Sequence, residues 1–187
     1  MSRRYFTLEE LRREMSDART RPASFERAQA FRVDRLADLV GRLPRENEIF
    51  FIETRRSFTA FTFVVYLMKH AGRVNHLHIA TYSTNERVVN ALLRWKAKGL
   101  IGGIHLHVSE TLRYRMPGIY ARLAALAAGG EITLSTAWTH KKVACADTSS
   151  GHFVVEGSGN YGENAMEEQY VFLRNKEIYE FRSGKGG

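Results

Sequence analysis

The sequence predicts an α/β fold, with a mixed, mainly parallel sheet flanked by helices and a helical extension ahead of it. Three observations carry this. From Glu48 onward, short apolar runs alternate with segments of helical periodicity, the pattern of crossover-connected strands. Residues 1–45 are dense in charge and spaced for helices, with no strand-like run. The chain has 187 residues and is 44% hydrophobic, enough to bury the core of one domain of ordinary size. The expected division is a charged helical extension over residues 1–45 and an α/β domain over residues 46–187.

In the extension, Thr7-Leu8-Glu9-Glu10 has the form of a capping box, in which hydroxyl and carboxylate satisfy early helix amides. A second helix start at Ser24-Phe25-Glu26-Arg27 leads into Phe31, Leu36, Leu39, Val40 and Leu43 at helical spacing, and Pro44 interrupts it. Acids are interleaved with the arginines here, which marks a solvated helical face rather than a polybasic tail.

The domain then runs in order. Ile49 to Ile52 reads as a buried strand, Phe58 to His70 as a helix, Val74 to Tyr82 as a strand and Thr84 to Lys98 as a helix. Gly102-Gly103 leads into a strand from Ile104 to Val108. Pro117 opens a helix that Gly129-Gly130 closes after Ala128, as proline at a helix start and glycine past its end predict. Glu131 to Ser135 is a further strand. Val143 to Ala146 and His152 to Val155 pair around the turn Thr148-Ser149-Ser150-Gly151. Gln169 to Leu173 is the last strand before a short terminal helix and a frayed tail.

Composition narrows the function. One cysteine, Cys145, excludes an intramolecular disulfide framework and a cysteine-rich zinc module. No apolar run approaches the roughly 20 residues that span a bilayer, and Met1 to Phe6 lacks the apolar stretch of a secretory signal. The expectation is a soluble, cytoplasmic protein without stable membrane insertion. The net charge of +8 favours a polyanionic partner, because neutralised phosphates release counterions. Charge alone does not separate nucleic acid from anionic lipid.

The chemistry concentrates in Thr139-His140-Lys141-Lys142-Val143-Ala144-Cys145-Ala146-Asp147, followed by Glu156-Gly157-Ser158-Gly159-Asn160. On a strand, His140 and Lys142 share a face. An imidazole beside an ammonium can engage a phosphate, one attacking phosphorus and the other holding a non-bridging oxygen. Asp147 has the other parity and is expected to anchor the strand end or the following turn. Gly157 permits close backbone approach, while Ser158 and Asn160 offer short donors to phosphate oxygens. A carboxylate in Met166-Glu167-Glu168-Gln169-Tyr170 can hydrogen-bond the far nitrogen of His140 and fix its tautomer.

This pattern resembles the phospholipase D superfamily, whose motif is His, any residue, Lys, four residues and Asp, then a Gly-Ser-x-Asn element. His140, Lys142 and Asp147 match the first part without a gap, and Gly157, Ser158 and Asn160 the second after a longer connection. The run from Gly157 through Asn164 to Tyr170 is similar to that of small phage and bacterial members, whose glutamate falls at Glu168. The resemblance implies a phospholipase D-like fold and a covalent phosphohistidine on His140. Lys142, Ser158 and Asn160 would stabilise the phosphoryl oxygens. With the cations built in, it implies no metal or other cofactor. It also implies a homodimer, because a second histidine is needed and the chain carries one copy of the motif.

The resulting expectation is a metal-independent phosphodiesterase, a nuclease on DNA or RNA. The alternatives are a phospholipase or phosphatidyl transferase, and a non-catalytic nucleic-acid-binding module. Arg55 or Arg56, in the loop after the first strand, and Arg113, Tyr114 and Arg115 are candidate substrate contacts. Tyr82-Ser83-Thr84-Asn85 occupies the equivalent position after the second strand. Two repeated segments, around His76 and His78 and around His105 and His107, would set four histidines on one sheet face if their strands are neighbours. Such a face either binds metal or hydrogen-bonds its imidazoles, and the lack of nearby carboxylates favours the second.

Overall fold

The computed structural model describes residues 22–55, 57–162 and 167–184. The capping box at Thr7 to Glu10, Arg56, Asn164 and the tail from Lys185 fall outside them, as do the side chains of the helix start at Ser24 to Arg27. The described elements are α1 (Pro22–Val40), β1 (Ile49–Arg55), α2 (Ala60–His70), β2 (Val74–Thr81), α3 (Glu86–Ala97), β3 (Ile101–Ser109), α4 (Thr111–Arg115), α5 (Pro117–Ala128), β4 (Thr133–Ala137), β5 (Val143–Thr148), β6 (Gly151–Gly157), β7 (Glu167–Arg174) and α6 (Lys176–Ser183).

The strands form one sheet in the order β1-β7-β6-β5-β2-β3-β4. Only β2–β3 and β3–β4 are parallel. The β1–β7, β7–β6, β6–β5 and β5–β2 pairings are antiparallel, so the sheet is mixed and mostly antiparallel, not mainly parallel. The strand–helix alternation of the first half does produce crossovers. The second half consists of a hairpin and a returning strand, which need no helix between them. At the hairpin Gly151 adopts φ +133°, and the Thr148 hydroxyl donates to its carbonyl at 2.8 Å.

Period-2 patterning gives the sheet two buried faces. On one, Leu77, Ile79, Ile104, Leu106, Val108, Phe153, Val155 and Phe172 pack in one cluster with Val33 and Leu36 of α1, Phe61, Phe63 and Tyr66 of α2, and Val88 and Leu92 of α3. On the other, Val143, Cys145, Val154 and Leu173 pack with Tyr179 of α6. The Cys145 thiol is pushed up to about 12 by burial, so it is a packing group and not a nucleophile. No described helix is long and apolar enough to cross a membrane.

The registers bring the ends of β1, β2, β3, β4 and β6 and the starts of β5 and β7 to one end of the sheet. The chain leaves β4 at the sheet's margin and must enter β5 on the far side of β2 and β3. That is three strand spacings, roughly 14 Å. The residues from Ala137 to Val143 reach about 20 Å when extended. Trp138 to Lys142 therefore run as an open connection across the ends of β3 and β2 rather than forming a helix.

Candidate active site

His140 and Lys142 lie in this connection, not on a strand as their spacing suggested, and β5 begins only at Val143. The route across the sheet explains where His140 lands. Its exposed imidazole rests on Tyr82, the residue after β2, with ring centroids 4.4 Å apart and planes at 33°. Lys142 turns its ammonium back to the His140 carbonyl at 3.0 Å, and the Thr139 hydroxyl takes the Lys141 amide at 3.1 Å.

The Gly157 amide donates to the Lys142 carbonyl at 3.1 Å, which joins the two motif segments through the backbone. Beyond it, Ser158 is held to β7 on both sides. Its amide donates to the Gln169 carbonyl at 3.1 Å, and its Oγ accepts from the Gln169 amide at 3.1 Å. Its hydroxyl donates to Glu168 Oε2. The expected bond from Glu168 to His140 is not formed. Glu168 takes Ser158 instead, and His140 is supported by Tyr82.

The loop then crosses the start of β5 to reach β2. The Tyr161 amide donates to Thr81 Oγ1 at 3.3 Å, and Tyr161 forms a bridge with Thr84. This stitches Asn160 to the strand end that carries Tyr82. Asn160 Oδ1 is buried and receives no hydrogen bond from the described residues. The glycines are required by packing. A Cβ at Gly157 would collide with the Gln169 carbonyl and the Tyr170 ring, and one at Gly159 with the Tyr170 hydroxyl.

Asp147 lies at the other end of β5, opposite His152 across the hairpin, with Oδ1 3.6 Å from His152 Nε2. Arg55 ends β1 opposite Glu167 and lines a cleft of about 500 Å³ with Glu53, Thr54, Ser158, Glu167, Glu168 and Gln169. Arg113, Tyr114 and Arg115 are exposed on α4, a short helix that the sequence reading did not anticipate. Its start is tied to β4, as the Glu110 amide donates to the Ala137 carbonyl at 2.8 Å. Tyr82 was noticed only as part of a loop. Its contact with His140 has no local sequence signal, because α3, β3, α4, α5 and β4 intervene.

The four histidines do share a face of neighbouring strands. His78 sits opposite His105, their Nδ1 atoms 3.1 Å apart. His105 Nε2 and His107 Nδ1 both lie 2.8 Å from Ser135 Oγ. Burial, then the neighbouring His105, His107, His76 and Lys141, push His78 down to about 4, and burial lowers His105 and His107 as well. Among the described residues, no group of three or more His, Cys, Asp or Glu is placed to hold a metal ion.

The same chain path occurs in solved structures. Polyphosphate kinase from Porphyromonas gingivalis is 16% identical, with TM-score 0.53, over 71% of this chain and 24% of that one. Phosphatidylserine synthase from Haemophilus influenzae Rd KW20, of the phospholipase D superfamily, is 8% identical, with TM-score 0.50, over 77% of this chain and 38% of that one. The fold is phospholipase D-like. No family model and no curated protein matches the sequence. The chain spans well under half the length of either structure, and at these identities the likeness is one of fold. Within the phospholipase D-like sheet, the two motif segments meet at the strand ends where open α/β sheets collect ligands.

Proposed function

We propose that this chain is a metal-independent phosphodiesterase, acting on nucleic acid through a covalent phosphohistidine on His140. The observation that carries the reading is the meeting of the segments at His140–Lys142 and Gly157–Asn160, joined by the Gly157 to Lys142 hydrogen bond. His140 attacks phosphorus, the ester oxygen departs with a proton, and water then releases the phosphate from the ring. Lys142 and Asn160 stabilise the phosphoryl oxygens, and Ser158 joins them when its hydroxyl hydrogen turns from Glu168 to the phosphate. The Asn160 Oδ1 is buried with no donor among the described residues, and its NH2 end is the one that donates to a phosphoryl oxygen. Glu168 orients Ser158.

The departing oxygen needs a second acid. We assign it to His140 of a second copy, so the working unit is a homodimer with the two open sites face to face. The charge of +8 favours nucleic acid over lipid.

The test is incubation with single- and double-stranded DNA and RNA in excess EDTA, beside His140→Ala. Cleavage that survives the chelator and is lost in the variant supports the reading. Equal cleavage by both proteins overturns it. The phosphatidylserine synthase likeness in fold makes headgroup transfer on anionic phospholipid vesicles the second assay. Turnover there without nucleic-acid cleavage would move the substrate class to lipid.

A further inference from the structure

The end of the sheet carries two large aromatic side chains with no structural work to do. Trp138 is 76% exposed and Tyr114 is 75% exposed, and indole rings are seldom left so open to water. Both follow strand ends that are direct neighbours, Trp138 after β4 and Tyr114 on α4 after β3. Their mounting is firm. The Glu110 amide holds the Ala137 carbonyl at 2.8 Å, the Thr136 hydroxyl donates to Glu110 Oε1 at 2.6 Å, and Arg113 Nε lies 3.2 Å from Glu110 Oε2. Glu110 is thereby neutralised by its own neighbours. In sequence Arg115 adjoins Tyr114, Lys141 and Lys142 follow Trp138 within four residues, and Arg115 and Lys141 are exposed. One residue, Thr139, separates Trp138 from His140, no more than about 7 Å along an extended chain.

We propose that Trp138 and Tyr114 are a stacking platform for the bases of a single-stranded nucleic acid whose backbone is led to His140 by Arg115, Lys141 and Lys142. The proposal rests on the phosphodiesterase reading for the role of His140, but the binding it claims does not need turnover. Unpaired bases offer free π faces to an aromatic ring, and a duplex has none to offer except at its ends. Cations with rings interleaved are what tracking a flexible polyanion requires. The other large exposed aromatics among the described residues, Phe31, Phe51 and Phe181, lie on α1, β1 and α6 rather than on this connection.

The experiment is binding of a labelled dT oligomer of about 12 nucleotides, and of a duplex of the same length, to the His140→Ala protein. The same measurement is made after adding Trp138→Ala or Tyr114→Ala. Each aromatic deletion is expected to weaken single-strand binding roughly 5- to 150-fold and to change duplex binding less than about 2-fold. The chain has two tryptophans, and Trp95 is stacked on Phe61 at 5.4 Å, so quenching of emission by the oligomer reports Trp138 and disappears in Trp138→Phe. Unchanged single-strand affinity in Trp138→Ala overturns the platform. So does a dimer-to-monomer shift in that variant with affinity per chain unchanged, which would make the ring a contact between copies. Emission that responds to anionic vesicles and not to oligomers overturns it in favour of a membrane surface. Binding as expected in these variants, with no cleavage by the protein that retains His140, would refute the phosphodiesterase reading and leave the platform standing.

Discussion

The imidazole of His140 and the phenol ring of Tyr82 lie against each other, centroids 4.4 Å apart, at the point where the β4–β5 connection passes over the end of β2. An exposed histidine on an irregular segment has many rotamers, and a ring beneath it selects among them. Aromatic pairs of this kind contribute about 0.5–1.5 kcal/mol. Tyr82→Ala is therefore expected to lower kcat about 2- to 13-fold, and Tyr82→Phe to restore it. Steady-state kinetics on both variants, with far-ultraviolet circular dichroism as a folding control, checks this. A Phe variant as impaired as Ala would mean that the hydroxyl and not the ring matters.

Ser158 and Glu168 form one unit, since the hydroxyl donates to the carboxylate while accepting from the Gln169 amide. Removing either partner leaves the other without its role. Ser158→Ala and Glu168→Ala are each expected to reduce kcat/KM by at least about 10-fold, and the double variant by no more than about 2-fold beyond the worse single. A double-mutant cycle measures the coupling. Multiplying effects would separate the two residues.

Gly157 and Gly159 lie where β6 and its loop press on β7. A methyl group at Gly157 meets the Gln169 backbone carbonyl and the Tyr170 ring, neither of which can move without breaking the strand pairing. At Gly159 it meets a side-chain hydroxyl. Both alanine variants are expected to lose about 1–3 kcal/mol, with Gly157→Ala the worse, a fall in Tm of roughly 2–12 °C. Calorimetry on the two variants ranks them.

His78 sets a pH dependence of stability. Its folded pKa of about 4 lies below the ordinary 6.5, because burial and the facing His105, His107, His76 and Lys141 oppose charge. Between those values the unfolded chain binds more protons than the folded one, so stability rises with pH across the window and is lost as pH falls through it. The loss from this group is on the order of 3 kcal/mol by pH 4. Urea unfolding of the protein and of His78→Gln at pH 7 and pH 4.5 should show a smaller drop in the variant. Equal drops would assign the acid sensitivity elsewhere.

Local pattern sufficed for most elements. Pro117 and the Gly129-Gly130 pair bracket α5 at the limits that the sequence predicts, because a fixed φ and a missing side chain act within one turn. The short apolar runs Val143 to Ala146 and His152 to Val155, on either side of the turn residues Thr148 to Gly151, marked both strands of the hairpin. The α4 helix went unseen, since its single turn holds only Leu112 as a buried residue and so has no periodicity to read.

The sequence by itself determined the α/β class, the positions of the strands and of the described helices other than α4, and the motif residues whose chemistry suits a phosphate. Each of these depends on neighbours a few residues away, through side-chain period, turn chemistry or residue type. Only the tertiary structure decided that β5 lies antiparallel beside β2 and that β1 pairs with β7 from the far end of the chain. It also decided that Glu168 holds Ser158 and that Tyr82 supports His140. Strand order is set by which hydrophobic faces close on one core. That is a property of the whole chain, with no trace in any local window.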